Sequence, residues 1–208
     1  MAFINLFQGL LGKQTGPNVT PASGEYGDGL VTELQPRFYE QTYRGNTFSA
    51  QWAAGALAAP SATVAGAFSF YNPTTSGKNV VLLDSTIALA SFTASANPLI
   101  VELQKWTYVP TTITSTAPVN TFIGSSSSAV SQSLVMTVGT LVGASTTPIK
   151  VLGGFYLDLT AGDSVGYLTY NFDGKFIIAP GSGISFCALA TVPTHTAVVD
   201  MTWMEVLV

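Results

Sequence analysis

The chain has 208 residues, of which 9% are charged and 47% are hydrophobic, and its formal net charge at pH 7 is −4. Soluble domains usually have about 25% charged residues, and nucleic-acid binders need clustered basic residues, whereas the 7 Lys and Arg residues here are scattered. The composition therefore argues against a nucleic-acid binder. Because so little charge leaves an isolated surface poorly solvated, it favours a component of a protein assembly.

Residues 1–30 predict an extended N-terminal arm. A short apolar segment is followed by a run of Gly, Pro, Asn, Thr and Ser without the period of a helix or strand. Such a segment buries too little apolar area to become ordered alone, so Phe3, Phe7 and Leu10 are predicted to bind a partner. The apolar segment lacks a basic residue before it, which argues against a secretory signal. No window approaches the ~20 apolar residues that span a bilayer.

Residues 31–52 hold both arginines and the densest group of aromatic residues in the chain. Two interpretations stay open. The segment is either an adhesive connector, with aromatic anchors and charge-assisted arginine contacts, or a first strand whose aromatic side chains pack on its own core. The connector interpretation assigns partner binding to Arg37, Tyr39, Tyr43, Arg44 and Trp52.

Residues 53–208 show short apolar runs separated by turn residues, which predicts one antiparallel β-sandwich domain. An alanine-rich run at 50–59 gives the one weak helical pattern, and Asp173-Gly174 predicts a hairpin turn. Residues 110–133 are predicted to form long surface loops. In chain order, strands are predicted at 65–71, 78–92, 99–108, around 119–123, and at 134–141, 151–159, 165–171, 176–179, 184–191 and 197–208.

The end of the chain resembles a viral or phage jelly roll. The resemblance lies in Pro180-Gly181-Ser182-Gly183 between two strands and in the final Val199-Asp200-Met201-Thr202-Trp203-Met204-Glu205-Val206. Residues 39–46 and 72–83 resemble a group of tailed-phage structural proteins, the head decoration (cement) proteins. The resemblance implies a jelly-roll β-sandwich with an extended arm, which sits as a homotrimer on the capsid exterior and contacts the major capsid protein. It implies assembly in the host cytoplasm and supplies no catalytic residue or cofactor.

Neither the only histidine nor the only cysteine predicts catalysis. His195 could in principle join Ser185 or Ser164, with Asp163 or Asp200, in a triad. No Gly-x-Ser-x-Gly elbow is present in a strand-turn-helix context, and no helix is predicted to carry one, so a loop histidine is the better prediction. Cys187 lies in an apolar run, which predicts a buried structural thiol.

Metal binding is also not predicted. Asp158, Asp163 and Asp173 are near one another in sequence and could approach calcium. Aspartates at such positions more often cap backbone N–H groups in turns. No metal, cofactor or catalytic residue is therefore predicted.

The leading hypothesis is a non-enzymatic capsid decoration protein that stabilises an assembled phage head. The alternative is a carbohydrate- or receptor-binding sandwich of a phage tail or fibre, which requires Trp106 and Tyr108 to face solvent. A coat protein of a small icosahedral virus would need a basic arm, and residues 1–30 contain one lysine, Lys13. A hydrolase is the least supported class.

Overall fold

The computed structural model describes residues 38–57, 59, 64–65, 68–92, 98–107, 114–135, 139–140, 147–155, 166–189 and 195–208. The chain forms two compact units, Met1–Glu40 and Gln41–Val208. Only residues 38–40 of the first unit are described, so the architecture below is that of the second unit. Within the described ranges, no helix is both long and apolar enough to cross a membrane.

The described elements are one short helix and fourteen strands. The helix α1 is Tyr39–Tyr43. The strands are β1 Thr47–Gly55, β2 Val64–Ala65, β3 Phe68–Asn72, β4 Lys78–Phe92, β5 Leu99–Thr107, β6 Thr114–Thr116, β7 Val119–Asn120, β8 Gln132–Val135, β9 Gly139–Thr140, β10 Thr147–Phe155, β11 Tyr167–Asn171, β12 Ile177–Ile178, β13 Ser182–Ala188 and β14 His195–Leu207.

Two antiparallel sheets form the sandwich. The first sheet has the order β11-β4-β14-β1-β7, with β12 also paired to β4, and the second has the order β10-β5-β13-β3-β8-β6. Eight strands carry the topology: β1, β3, β4, β5, β10, β11, β13 and β14. Numbered one to eight in chain order, they run 6-3-8-1 in the first sheet and 5-4-7-2 in the second. This interleaving of two Greek keys is the jelly roll, so the predicted fold class is confirmed.

Strand alternation places the core between the two sheets. In β14, every second residue from His195 to Glu205 is buried and the residues between them are partly exposed, as expected for a strand with one face on a core. Aromatic rings dominate the centre of the sandwich. Phe70 meets Trp203 edge-on, with ring centroids 4.8 Å apart, and Trp52 meets Phe186 at 6.0 Å. Such edge-to-face pairs stabilise the core beyond their buried area.

Several sequence predictions can be compared directly with the described strands. The strand predicted at 78–92 is confirmed by β4. The helical pattern at 50–59 is wrong for its first half, because β1 continues to Gly55 and pairs with β14. Pairing in the middle of a sheet overrides a weak local helix preference. The same strand runs through the predicted boundary at residue 52. The predicted arm at 1–30 lies outside the described residues.

The Asp173-Gly174 turn is present, but it does not join a hairpin. Both residues have positive φ angles, 58° and 74°, and the Lys175 N–H donates to the Phe172 carbonyl at 2.9 Å, which is the type I′ geometry. The flanking strands β11 and β12 both pair with β4 instead of with each other. A bulge in β4 lies opposite this turn. Leu83 has no opposite residue on β14 where the β4–β14 register shifts, and the Leu83 carbonyl accepts the N–H of Phe172.

Candidate protein-docking site

The segment between β5 and β10 extends both sheets on one side of the sandwich. Its strand β7 pairs with β1 in the first sheet. Its strand β8 pairs with β3 in the second sheet, and β6 pairs with β8. The two free edges of the jelly roll at β1 and β3 are therefore covered by this insertion. Residues 110–133 were predicted as surface loops with a short strand around 119–123, where β7 lies, and the strand predicted at 134–141 overlaps the end of β8.

The insertion presents a large apolar side chain at the apex of a tight turn. The Ser125 N–H donates to the Phe122 carbonyl at 2.9 Å, and Gly124 has a φ of 94°. A positive φ at the third position defines a type II turn and favours glycine there. Ile123 occupies the second position and is 84% exposed. Turn residues are ordinarily small or polar, so an isoleucine at this place is poorly explained by folding.

Tyr43 and Phe122 form an aromatic pair beside this turn. Their ring centroids are 5.9 Å apart with an interplanar angle of 26°. The exposed fractions are 62% for Tyr43 and 42% for Phe122. We refer to Tyr43, Phe122 and Ile123 together as the apolar tip. Exposed large apolar side chains that cluster on a folded domain are typical of a protein interaction surface.

Hydrogen bonds hold both halves of the apolar tip. The Asn120 side-chain amide donates to the Gly45 carbonyl at 2.8 Å and its oxygen accepts the Phe122 N–H at 2.8 Å. The Thr121 N–H donates to the Thr47 carbonyl at 3.0 Å. These bonds join the turn at residue 122 to the segment that follows Tyr43. Because the rings are held before any partner arrives, binding loses less conformational entropy.

Gly45 lies at the centre of this arrangement. Its φ of 72° lies in the left-handed region. A Cβ atom at this position would lie 2.8 Å from the Ser127 hydroxyl and 2.9 Å from the Ser125 hydroxyl. Both the backbone angle and the close approach of the insertion therefore favour glycine at this position.

The predicted partner-binding residues divide into three groups. Tyr39, Tyr43 and Arg44 are exposed in or next to α1. Trp52 is fully buried and packs on Phe186, so its predicted partner-binding role is wrong. β1 alternates, which directs Trp52 into the sandwich as the first-strand interpretation expects. The remaining predicted residues, Phe3, Phe7, Leu10 and Arg37, lie outside the described residues.

Phe122 and Ile123 were not predicted from the sequence. They are an adjacent apolar pair followed by glycine, in a run that otherwise consists mainly of Ser, Thr, Pro and Val. That contrast is a usable signal. Contact with Tyr43, however, depends on the pairing of β7 with β1, and a single sequence gives no measure of that long-range contact.

The outer face of the second sheet contains a second aromatic pair, which is buried. Tyr71 and Trp106 stack at 5.6 Å and 10°, and both flank Gly183 on the strand between them. A Cβ atom on Gly183 would lie only 2.4 Å from the Trp106 ring. Trp106 is 1% exposed. The carbohydrate-binding alternative requires Trp106 to face solvent, and this expectation is therefore wrong. Tyr108, the second residue that it requires, lies outside the described residues.

Several polar groups on the same face bond one another. The Trp106 indole N–H donates to the Ser185 hydroxyl at 2.9 Å, which also bonds the Ser69 hydroxyl at 2.8 Å. The Cys187 thiol donates to the Gln104 side-chain oxygen at 3.1 Å. Cys187 is fully buried, so the predicted structural thiol is confirmed.

Two carboxyl groups have raised pKa values. Burial raises the pKa of Glu102, on the outer face of the second sheet, above its ordinary 4.5, and its Oε1 has no hydrogen-bond partner among the described residues. Burial also raises the pKa of Asp200 above 3.8, and the charge of Asp84 adds to this rise, whereas the Thr86 N–H opposes it. Neither group lies with two further carboxylate, histidine or cysteine side chains in a possible metal cluster within the described ranges.

His195 has a structural role. It is the first residue of β14 and is buried, so its predicted position in a loop is wrong. Its Nε2 accepts the Leu57 N–H at 2.9 Å, so this nitrogen already has a hydrogen-bond partner. Ser185 is bonded to Ser69 and Trp106 instead. The triad candidates Ser164 and Asp163 lie outside the described residues.

Comparison with known proteins adds nothing to the fold assignment, which rests on the strand order. No family model matches the chain, and no curated protein matches it. A solved structure of the Israeli acute paralysis virus full particle, heated to 63 degrees, contains a chain with 11% sequence identity. The match covers 96% of this chain and 84% of that chain, with a TM-score of 0.19. A TM-score this low carries no argument.

Proposed function

We propose that this chain is a non-enzymatic virion structural protein that binds the exterior of an assembled phage head and stabilises it. The observation that carries the proposal is the apolar tip: Tyr43, Phe122 and Ile123 are exposed, yet their backbone is held by hydrogen bonds. A rigid apolar surface of this kind suits docking on another protein. A jelly roll alone would not indicate this, because folds of this type host many functions.

The proposed partner is the protein lattice of the head. The chain's net charge of −4 opposes binding to nucleic acid. Arg44 follows Tyr43 directly in the sequence and is exposed, and arginine together with aromatic residues is common in the centre of protein interfaces. The resemblance of residues 39–46 to decoration proteins falls on this same segment. Self-association as a homotrimer is part of the proposal.

Stabilisation follows if the chain binds the assembled lattice better than free capsid subunits. Binding to one state only shifts the equilibrium toward that state by mass action, and the shift grows with the ratio of chain concentration to dissociation constant. A clamp of this kind needs no catalytic residue and no cofactor. Its effect is strongest where the docking surface is already ordered.

The test is co-sedimentation of the full-length chain with shells assembled from the major capsid protein of the same virus. The double variant Phe122→Ser/Ile123→Ser should bind about 30-fold or more weakly, the size expected when a hot spot of about 2 kcal/mol is lost. Phe122 and Ile123 are exposed, so the fold should be retained.

The matched control is Tyr167→Ser/Ile177→Ser, which changes an exposed aromatic and an exposed aliphatic residue on β11 and β12. This variant should bind like the wild-type chain. Equal shell binding by wild type and the tip variant would reject the apolar tip as the docking surface. Loss of binding in both variants would reject a localised site.

A further inference from the structure

Glu205 joins the last strand to the insertion. Its side chain is 0% exposed, and its carboxylate accepts the N–H groups of Val130 and Ser131, both at 3.0 Å, and the Ser131 hydroxyl. Lys78 Nζ lies 3.3 Å from its other side. A buried carboxylate is stable only when such partners compensate the lost hydration, and this one is compensated mostly by the insertion.

The backbone of Glu205 holds the other half of the apolar tip. Its N–H donates to the Asn46 carbonyl at 2.8 Å, three residues after Tyr43. Its side chain meanwhile binds the insertion at 130–131, eight residues after Phe122. One residue of β14 therefore contacts both segments whose rings meet in the Tyr43–Phe122 stack.

We infer that Glu205 is a positioning residue for the docking surface: its carboxylate holds the insertion so that Phe122 stacks on Tyr43. This inference rests on the proposed function. It differs from a general contribution to stability, because the bonds of the carboxylate to Val130 and Ser131 lie on the insertion and not within the β4–β14 ladder. Removing them should loosen residues 121–131 and leave the paired strands in place.

The decisive variant is Glu205→Gln. The side chain keeps its size and one carbonyl oxygen, but it loses the negative charge that strengthens the bonds from Val130 and Ser131. The amide NH2 group that replaces Oε2 cannot accept the Val130 N–H and faces Lys78 Nζ. Hydrogen–deuterium exchange of the full-length chain should show protection at 121–131 reduced by about 10- to 100-fold, as expected for losing a charged hydrogen-bond acceptor. Protection of the β4 and β14 amides away from residue 205 should be unchanged, and shell binding should weaken.

Two controls separate positioning from stability. Glu102→Gln is the same substitution at another buried glutamate, and it should leave both the protection of 121–131 and shell binding unchanged. Leu152→Ala removes a core side chain and lowers global stability; its shell binding should stay at the wild-type level in conditions where the variant remains folded. Weakened binding in Leu152→Ala equal to that in Glu205→Gln would overturn the inference.

A milder variant covers the case in which Glu205→Gln does not fold. Ser131→Ala removes only the hydroxyl donor and leaves the backbone bonds, so protection at 121–131 should fall several-fold. Unchanged protection in Ser131→Ala and in any folded Glu205→Gln sample would overturn the inference. Reduced exchange protection at 121–131 in Glu205→Gln together with normal shell binding would also overturn the inference, provided that the tip variant Phe122→Ser/Ile123→Ser has lost binding. If the tip variant binds normally, the proposed function fails instead.

Discussion

The outer face of the first sheet carries small polar side chains that reach solvent, whereas the outer face of the second sheet carries stacked aromatic rings and buried polar groups. Across the first sheet, one row runs Gln51, Asp200, Thr86 and Thr169, and none of these is fully buried. Across the second, the row Tyr71, Gly183 and Trp106 is buried throughout. Similar strand architecture thus gives one solvated face and one face that packs like a core.

The difference in burial between the two faces shows which residues contribute to stability and which are accessible to a partner. An aromatic side chain in a β-strand is often assigned to a binding surface when its neighbours are polar. Trp106 has polar neighbours, but its indole N–H is bonded to Ser185 inside the protein. Tyr43 and Phe122, by contrast, expose most or much of their surface. Burial, and not residue type, decides between the two roles.

The largest expected effect comes from Trp106→Ala. Removing a fully buried tryptophan should lower the free energy of unfolding by about 3–5 kcal/mol, measured by chemical denaturation. The comparison is Tyr167→Ala, an aromatic residue on the outer face of the first sheet that is 78% exposed. It should change stability by no more than about 0.5 kcal/mol. Similar losses in the two variants would contradict the distinction between the faces.

A smaller effect is expected from Gly183→Ala. The added Cβ would lie 2.4 Å from the Trp106 ring and 2.6 Å from the Phe70 carbonyl oxygen, and overpacking of this kind costs about 1–3 kcal/mol. The same substitution in a Trp106→Ala background should cost less, because only the backbone contact remains. Equal costs in the two backgrounds would show that the ring does not press on Gly183.

The smallest effect, and the one with the opposite sign, is expected from Glu102→Gln. Because burial raises the folded-state pKa of Glu102 above 4.5, the folded state binds more protons, and stability falls as pH rises from 4.5 through the folded pKa. Glutamine removes this loss. The melting temperature of Glu102→Gln should therefore exceed that of wild type at pH 7, and the difference should shrink toward pH 4.

Asp200→Asn on the first sheet provides the comparison for that titration. The pKa of Asp200 is also raised, by burial first and by Asp84 second, but the residue is partly exposed and solvent screens its charge. An asparagine oxygen can still accept the Thr86 N–H. The increase in melting temperature at pH 7 should therefore be smaller for Asp200→Asn than for Glu102→Gln. A larger increase would show that the carboxylate on the first sheet destabilises the fold more than Glu102 does.

The antiparallel sandwich was predictable because strand periodicity and turn residues are local signals, whereas its jelly-roll type was implied only by the resemblance. The long strand β4 and the type I′ turn at Asp173-Gly174 were both found in this way. The predicted hairpin failed because β11 and β12 pair with β4, and partner choice between strands is not local. The same limit explains the helical prediction at 50–59, where β14 imposes the strand conformation on β1.

The candidate site was predictable only in part, for a related reason. The density of aromatic residues and arginines in residues 31–52 predicted partner binding for Tyr43 and Arg44, which are exposed. It predicted the same for Trp52, whose side chain the alternation of β1 directs into the core. Phe122 approaches Tyr43 because the insertion returns to β1 nearly eighty residues later. Glu205 was assigned no role from the sequence. A lone acidic residue near the end of a strand does not reveal which backbone N–H groups donate hydrogen bonds to it, and here they belong to Val130 and Ser131.

The buried thiol of Cys187 has a practical consequence. It is the only cysteine in the sequence and is fully buried. It is the sixth of the seven residues of β13, which lies between β5 and β3. A thiol-reactive dye can modify it only after the outer face of the second sheet becomes accessible, so the labelling rate in native buffer measures the free energy of opening this region. The wild-type chain therefore carries its own reporter, and shell-bound and unbound samples can be compared without engineering a probe.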